Sequence, residues 1–279
     1  MRLRAATCVF LVGGLLLPLT AQDARDMVRR AVEQSGQNSN ASLRYTYLER
    51  QEVRELDRSG QVKKRTIQTW DVTPLEGSPY RRLVARNDQP LPPEERKAEE
   101  EKLRWSNEQR RNETPEQRSQ RLADWQRRQE RQREPIKELP DAFNFTIARE
   151  DSIDGHSFFV IDALPKPGYK PKSRFAGFFP RVKLRLWIDK NDYQGARVEM
   201  ETLDTVSFGG LLVRVSKGTR LVIELTRVND EVWLPKHVSL TASARILLLK
   251  GITRDLDYTY SGYKKFEVDS RVVAVSEQP

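Results

Sequence analysis

The spacing of apolar positions changes along the chain, and each change marks an element. Over residues 23–35, Met27, Val28, Ala31 and Val32 fall on one face, opposite Arg25, Arg29, Arg30 and Glu33. That is the period of a short amphipathic helix, with Gly36 and the polar run 37–40 as its stop. From Leu43 the period becomes two. Tyr45, Tyr47 and Val53 lie on one side and Arg44, Thr46, Arg50 and Glu52 on the other. A turn at 57–60, a returning strand over Val62 to Leu75 and a third over Pro79 to Ala85 make a β-meander.

Period two returns at Phe143. A strand over Phe143 to Arg149 leads into a turn at 151–155, and His156 to Leu164 is apolar on both faces. Val182, Leu184, Leu186 and Ile188 alternate with Lys183, Arg185, Trp187 and Asp189. Val198 and Met200 alternate with Arg197, Glu199 and Glu201. Ser207 to Val215 reads as one strand. Leu221, Ile223 and Leu225 alternate with charged neighbours. Asn229-Asp230 is a two-residue hairpin signal, and Val232 to Leu249 is a long strand or a bent pair. Leu256, Tyr258 and Tyr260 close the series. Strands of this length joined by tight turns predict an α+β, β-rich fold: one large antiparallel sheet, curled on itself, with helices covering its apolar face.

Residues 91–140 break the pattern. They hold 13 Lys+Arg and 12 Asp+Glu, so half of them are charged. Pro92-Pro93 before Glu94-Glu95 starts one helix, about 93–112. Thr114-Pro115-Glu116-Gln117 is a capping box that starts another, about 115–133, with Pro135 and Pro140 to stop it. This charged helical insertion reads as a solvated, salt-bridged excursion. The sharper alternative is a lid whose few large apolar groups, Leu103, Trp105, Leu122 and Trp125, cover a pocket.

The N-terminus looks like an address. Arg2 and Arg4 precede an apolar run to Leu17, and Pro18-Leu19-Thr20-Ala21 ends in a small residue. Residues 1–21 are expected to be a signal peptide cleaved near Ala21, leaving 22–279 as a single exported, soluble periplasmic domain. Cleavage would remove two Arg and no acid, lowering the net charge from +9 to +7. It would also remove Cys8, the only Cys, which suits an oxidising compartment.

Composition then excludes chemistry. One Cys leaves no disulfide framework and no Cys-based metal site, and two His, His156 and His237, make a His-rich metal centre implausible. No phosphate loop, dinucleotide fingerprint, nucleophile elbow or zinc-protease motif occurs. No cofactor is expected, and the protein is read as a non-enzyme. A hydrolase using His156 or His237 is the outlying alternative. One segment carries a positive signal. Residues 165–185 contain Lys166, Lys170, Lys172, Arg174, Arg181, Lys183 and Arg185 and no acid, interleaved with Tyr169, Phe175, Phe178 and Phe179. In an exported protein this suits anionic lipid headgroups rather than nucleic acid. The plainer alternative is that the three Phe pack over one end of the sheet.

Several short motifs carry a resemblance. Leu186-Trp187-Ile188-Asp189 with Asp192-Tyr193 and Arg197-Val198-Glu199, Trp233-Leu234-Pro235, and the run Tyr260 to Phe266 resemble the lipoprotein-carrier-like superfamily of LolA, LolB and the RseB/MucB sensors. Phe208 to Leu212 with Lys217-Gly218 is similar to an exported outer-membrane lipoprotein-sorting-like subgroup. The resemblance covers roughly 23–90 and 143–268; the charged insertion and the basic loop depart from it, and the lipid-bearing Cys of LolB has no counterpart. It implies an incomplete antiparallel β-barrel with helices over an apolar cavity, and a lipid or acylated protein as ligand. Lining positions then come from the apolar sides of the strands: Leu186, Val198, Met200, Leu240, Ala242, Leu256 and Tyr258. The alternative is a sensor or interaction module in which the sheet is only a scaffold, with the basic loop and charged helices docking a partner.

Overall fold

In the computed structural model, described over residues 21–57, 59–208, 213–246 and 252–266, strands dominate. The elements are α1 (Ala21–Ser42), β1 (Tyr45–Leu56), β2 (Val62–Leu75), β3 (Ser78–Arg86), β4 (Gln89–Pro90), α2 (Pro93–Arg111) and α3 (Pro115–Ala142). Then follow β5 (Phe143–Ile153), β6 (His156–Pro165), a 3₁₀ helix (Phe175–Arg181), β7 (Val182–Asp189), β8 (Gly195–Thr202), β9 (Val206–Phe208) and β10 (Val213–Val215). Last come β11 (Arg220–Val228), β12 (Val232–Ile246) and β13 (Ile252–Lys265). Residues 1–20, and with them nearly all of the expected signal peptide, lie outside the described residues, as do Gly209 to Leu212. Among the described residues no helix is long and apolar enough to cross a membrane.

One antiparallel sheet runs β4-β3-β2-β1-β13-β12-β11-β8-β7-β6-β5, and its two edges do not meet. The α+β reading with an incomplete barrel of antiparallel strands therefore holds. The expected single strand over 207–215 is two short ones, β9 and β10, paired with each other beside β12. Asn229 and Asp230 both take positive φ, 51° and 54°, the left-handed pair a tight hairpin needs.

α1 and α3 outrun their sequence signals for a shared reason: tertiary contacts hold their last turns. α1 continues through Gly36 to Ser42. Gly36 is not a stop but a close approach, since a Cβ there would lie 2.6 Å from the Arg133 guanidinium of α3. α3 begins on the expected capping box, with the Thr114 N–H donating to Gln117 at 2.9 Å. It then runs through Pro135 and Pro140 to Ala142, although an interior proline removes a donor and costs about 3 kcal/mol. Three features offset that cost. Ala142 is buried, Leu139 packs on the core, and the Glu138 carboxylate accepts the Tyr169 hydroxyl and the Lys172 and Ser173 backbone N–H groups.

The main core lies on one face of β5–β8. Ile161, Ala163, Leu184, Leu186 and Ile188 are covered by Ala24, Met27 and Val28 of α1 and by Phe179 and Ala176 of the 3₁₀ helix. The other face carries a smaller cluster of Phe158, Val160, Trp187, Ala196 and Trp233. Elsewhere that face is ionic. Asp162 pairs with Arg185, Arg197 with Glu199 and Glu224, His237 with Glu224 and Asp257, and Glu52 with Arg65.

Candidate functional site

Register aligns two rows of side chains on the helix-covered face. Leu184, Met200, Leu221, Leu240, Leu256 and Val53 are successive cross-strand partners from β7 to β1. Leu186, Val198, Ile223, Val238, Tyr258 and Gln51 form the second row, two residues along. Paired residues in an antiparallel sheet share a face. At ~4.8 Å per strand each row is about 24 Å wide.

Burial changes along the rows. Leu184 and Leu186 are buried beneath α1, and Val198 and Met200 pack against the same cluster. Beyond them Leu221, Ile223, Val238, Leu240, Leu256 and Tyr258 are only half-buried. They belong to none of the three packed clusters among the described residues. The rows thus leave the core and continue on β11, β12 and β13 as a half-buried apolar strip, termed the trough below. Leu186, Val198, Met200, Leu240, Leu256 and Tyr258 all sit on the rows. Ala242 is two residues along β12 from Leu240, paired in register with Arg254. Leu221, Ile223 and Val238 complete the trough and were signalled by the same alternation.

At one end the trough meets a cavity of about 200 Å³ lined by Tyr45, Tyr47, Val72, Leu234, Tyr263 and, from α3, Trp125. Burial raises the pKa of the Tyr47 and Tyr263 phenols, so they remain hydrogen-bond donors at neutral pH. The Tyr263 hydroxyl donates to the Pro235 carbonyl at 2.6 Å.

The four expected lid residues separate. Trp125 faces this cavity, and Leu122 covers the β2–β3 turn, its Cδ2 lying 3.1 Å from where a Gly77 Cβ would stand. Leu103 is half-buried on α2, and Trp105 is 63% exposed. Two arginines fasten the insertion. Arg110 donates to the carbonyls of Leu75 and Ser78, and Arg121 to the Glu76 carbonyl and the Ser78 hydroxyl.

The basic loop also separates. Phe179 is buried with its ring 5.2 Å from Phe143, and Phe178 meets it edge-on at 5.1 Å. Phe175 opens the 3₁₀ helix. Lys170, Lys172 and Arg174 stay exposed. The two described Phe side chains therefore pack over the end of the sheet while the cations face solvent.

His156 lies 3.3 Å from the buried Asp189 and edge-on to Trp233, and His237 lies 2.8 Å from Asp257. Both contact carboxylates on the ionic face, away from the trough. A larger cavity, about 550 Å³, also lies over β6, β7, β8 and β11; Leu184, Met200 and Leu221 of the rows line it together with Leu164 and Val222 and the charged Asp162, Lys183, Arg185, Glu199, Glu201 and Arg220. Those charges are paired, Glu199 with Arg197 and the others among themselves. Among the described residues no group of three or more His, Cys, Asp or Glu could hold a metal ion.

No protein-family model matches the chain, and no curated protein matches it by sequence. Its neighbours among solved structures are LolA-superfamily and lipoprotein-sorting-type proteins. A putative outer membrane lipoprotein-sorting protein domain from Vibrio parahaemolyticus is 11% identical at a TM-score of 0.34, over 88% of this chain and 95% of that one. A LolA superfamily protein from Nitrosomonas europaea is 10% identical at 0.30, over 88% and 94%. The MucA/MucB complex of Pseudomonas aeruginosa gives 10% identity at 0.27, over 88% and 99%.

Proposed function

We propose that this protein is an exported, non-catalytic binder of a lipid or an acylated protein ligand, working in the periplasm as one domain with a charged helical insertion. The observation that carries this reading is the trough. Six half-buried apolar side chains, Leu221, Ile223, Val238, Leu240, Leu256 and Tyr258, stand in register on rigid strands and pack into no core cluster. Burying each CH₂ of a ligand there is worth ~0.8 kcal/mol, so one long chain supplies most of a useful affinity. Lys170, Lys172 and Arg174 supply exposed cations, each worth ~1 kcal/mol beside an anionic leaflet where such a ligand resides.

Native mass spectrometry of the protein purified from a periplasm, with lipid extraction alongside, tests this. A bound acyl species near unit stoichiometry is expected, and Leu240→Glu should abolish it while the far-UV spectrum is retained. An apo mass that persists after incubation with acylated peptide would sink the reading.

A second reading, an interaction module, is favoured by Trp105. It is 63% exposed on α2, a helix with no buried residue. Trp105→Ser should then weaken capture of a partner protein and leave any bound lipid in place.

A further inference from the structure

The apolar pattern of the inner face breaks on β1 and β2. Between the inward positions of Tyr47 and Val53 stand Glu49 and Gln51, and facing them on β2 stand Trp70 and Gln68. Gln51 is paired with Tyr258 and Glu49 with Tyr260, so this polar band continues the trough without a gap. Contacts confirm the shared face: Arg81 reaches Glu49 at 3.0 Å and stacks over Trp70 at 4.8 Å, and the Tyr47 and Tyr260 rings lie 5.9 Å apart.

Inward polar groups are costly unless their hydrogen bonds are made. Here they are made only in part. Gln51 Nε2 and Arg81 donate to Glu49. Trp70 Nε1 is buried and has no hydrogen-bond partner among the described residues. The side chains of Gln68, Tyr258 and Tyr260 form no hydrogen bond within the described residues, and all three are half-buried. The Tyr260 phenol is kept protonated by burial and by Glu49. Glu49 and Arg81 neutralise each other. The band therefore offers unspent donors and acceptors on a rigid sheet with no net charge.

We propose that this band is the head-group subsite of the same trough, and that its ligand is an amphiphile with an uncharged, hydroxyl-rich head, of the glycosyl class. This rests on the acyl-binding reading above. Hydroxyls both donate and accept, which matches a donor-only indole, two amides and two phenols. A phosphate or carboxylate would need a free cation, and Arg81 is already taken by Glu49. A quaternary ammonium would need open aromatic faces, and the Trp70 ring already carries Arg81.

The test is calorimetric titration of the full-length mature protein with three amphiphiles sharing a dodecyl tail: the maltoside, the phosphocholine and the sulfate, each below its micellar concentration. The maltoside should bind at least about tenfold tighter than the others, a difference of ~1.4 kcal/mol. Gln51→Leu with Gln68→Leu should reduce that ratio to about threefold or less, ~0.7 kcal/mol. Trp70→Phe, which removes only the N–H, should lower it too and serves if the double variant misfolds. Equal binding of all three heads, or a ratio that survives both variants, overturns the head-group subsite and leaves the acyl reading standing. If none of the three binds, the acyl reading itself falls and takes this inference with it.

Discussion

The side-chain amide of Asn38 exchanges two hydrogen bonds with the backbone of Trp233: its Nδ2 donates to the carbonyl at 2.6 Å, and its Oδ1 accepts from the N–H at 2.7 Å. These residues are 195 apart in sequence. The pair locks the second half of α1 onto the start of β12, one strand of the trough. Asn38→Ala leaves both backbone groups without that partner, and each orphaned group costs ~1–3 kcal/mol where water cannot replace it. We expect a stability loss of about 2 kcal/mol, read by urea denaturation. Asn38→Asp keeps the acceptor but sets a carboxylate oxygen against the Trp233 carbonyl, so it should not restore the lost stability. A loss below the error of the method in both variants would show that the lock does not hold α1.

Glu138 gives the fold a pH dependence. Burial alone would raise its pKa, but hydrogen bonds from Ser173, Tyr169 and Lys172 outweigh burial and hold it below the ordinary carboxyl value of 4.5. A carboxylate with a depressed folded-state pKa stabilises fully above its unfolded value, and the contribution is lost as pH falls through the folded one. The melting temperature of the wild type should therefore exceed that of Glu138→Gln at pH 7. The gap should narrow on acidification below pH 4.5. A gap unchanged down to pH 3 would mean the carboxylate is not what closes the 165–185 loop over α3.

Arg110 and Arg121 hold the α2–α3 hairpin to the β2–β3 turn through the Leu75, Glu76 and Ser78 carbonyls and the Ser78 hydroxyl. Hydrogen bonds from a charged donor are worth ~1.5–3 kcal/mol each in protected settings and less where water competes. Arg110→Ala with Arg121→Ala should therefore raise amide exchange over 93–125 by at least about tenfold, the equivalent of ~1.4 kcal/mol of opening. Exchange over 136–142 should not change, because Glu138 and Leu139 anchor that end independently. Uniform loosening of the whole helix would refute two separate attachments.

Alternation made most of this sheet legible. Leu184, Leu186, Val198, Met200, Leu240 and Leu256 read as one face because a one-residue slip would put every one of them in water. Which partner each meets was not legible, since β1 pairs with β13 across the length of the chain. That non-local pairing is what joins Leu256 to Val53 and Tyr258 to Gln51. Glu49, Gln51 and Gln68 gave no signal of their own, because nothing local distinguishes a polar group on the inner face from one on a wet face. The prolines of α3 misled for the opposite reason. Their local cost is real, and only tertiary contacts override it: the burial of Ala142, the packing of Leu139, and the hydrogen bonds of Glu138 with Tyr169, Lys172 and Ser173. Phe178 and Phe179 could be read as a loop tip or as core by composition; the Phe143 ring that receives Phe179 decides between them.

Trp125 stands where α3 crosses the aromatic end of the trough, over Tyr47 and Tyr263. A half-buried Trp removed to Ala opens a space that the stiff strands below cannot fill, so part of the ~3–5 kcal/mol seen for fully buried cases applies. We expect a stability loss of about 1–2 kcal/mol. The functional consequence should be larger on rates than on stability. With the cap gone, a chain seated along Leu240 and Tyr258 can leave by this end as well, and its dissociation should quicken by about tenfold, ~1.4 kcal/mol of barrier. Trp125→Phe keeps a ring over the cavity and should restore most of the residence time. Stopped-flow displacement of a fluorescent fatty acid measures this directly. If Trp125→Ala releases the probe at the wild-type rate while Leu240→Glu prevents its binding, the trough is the site and α3 is not its lid.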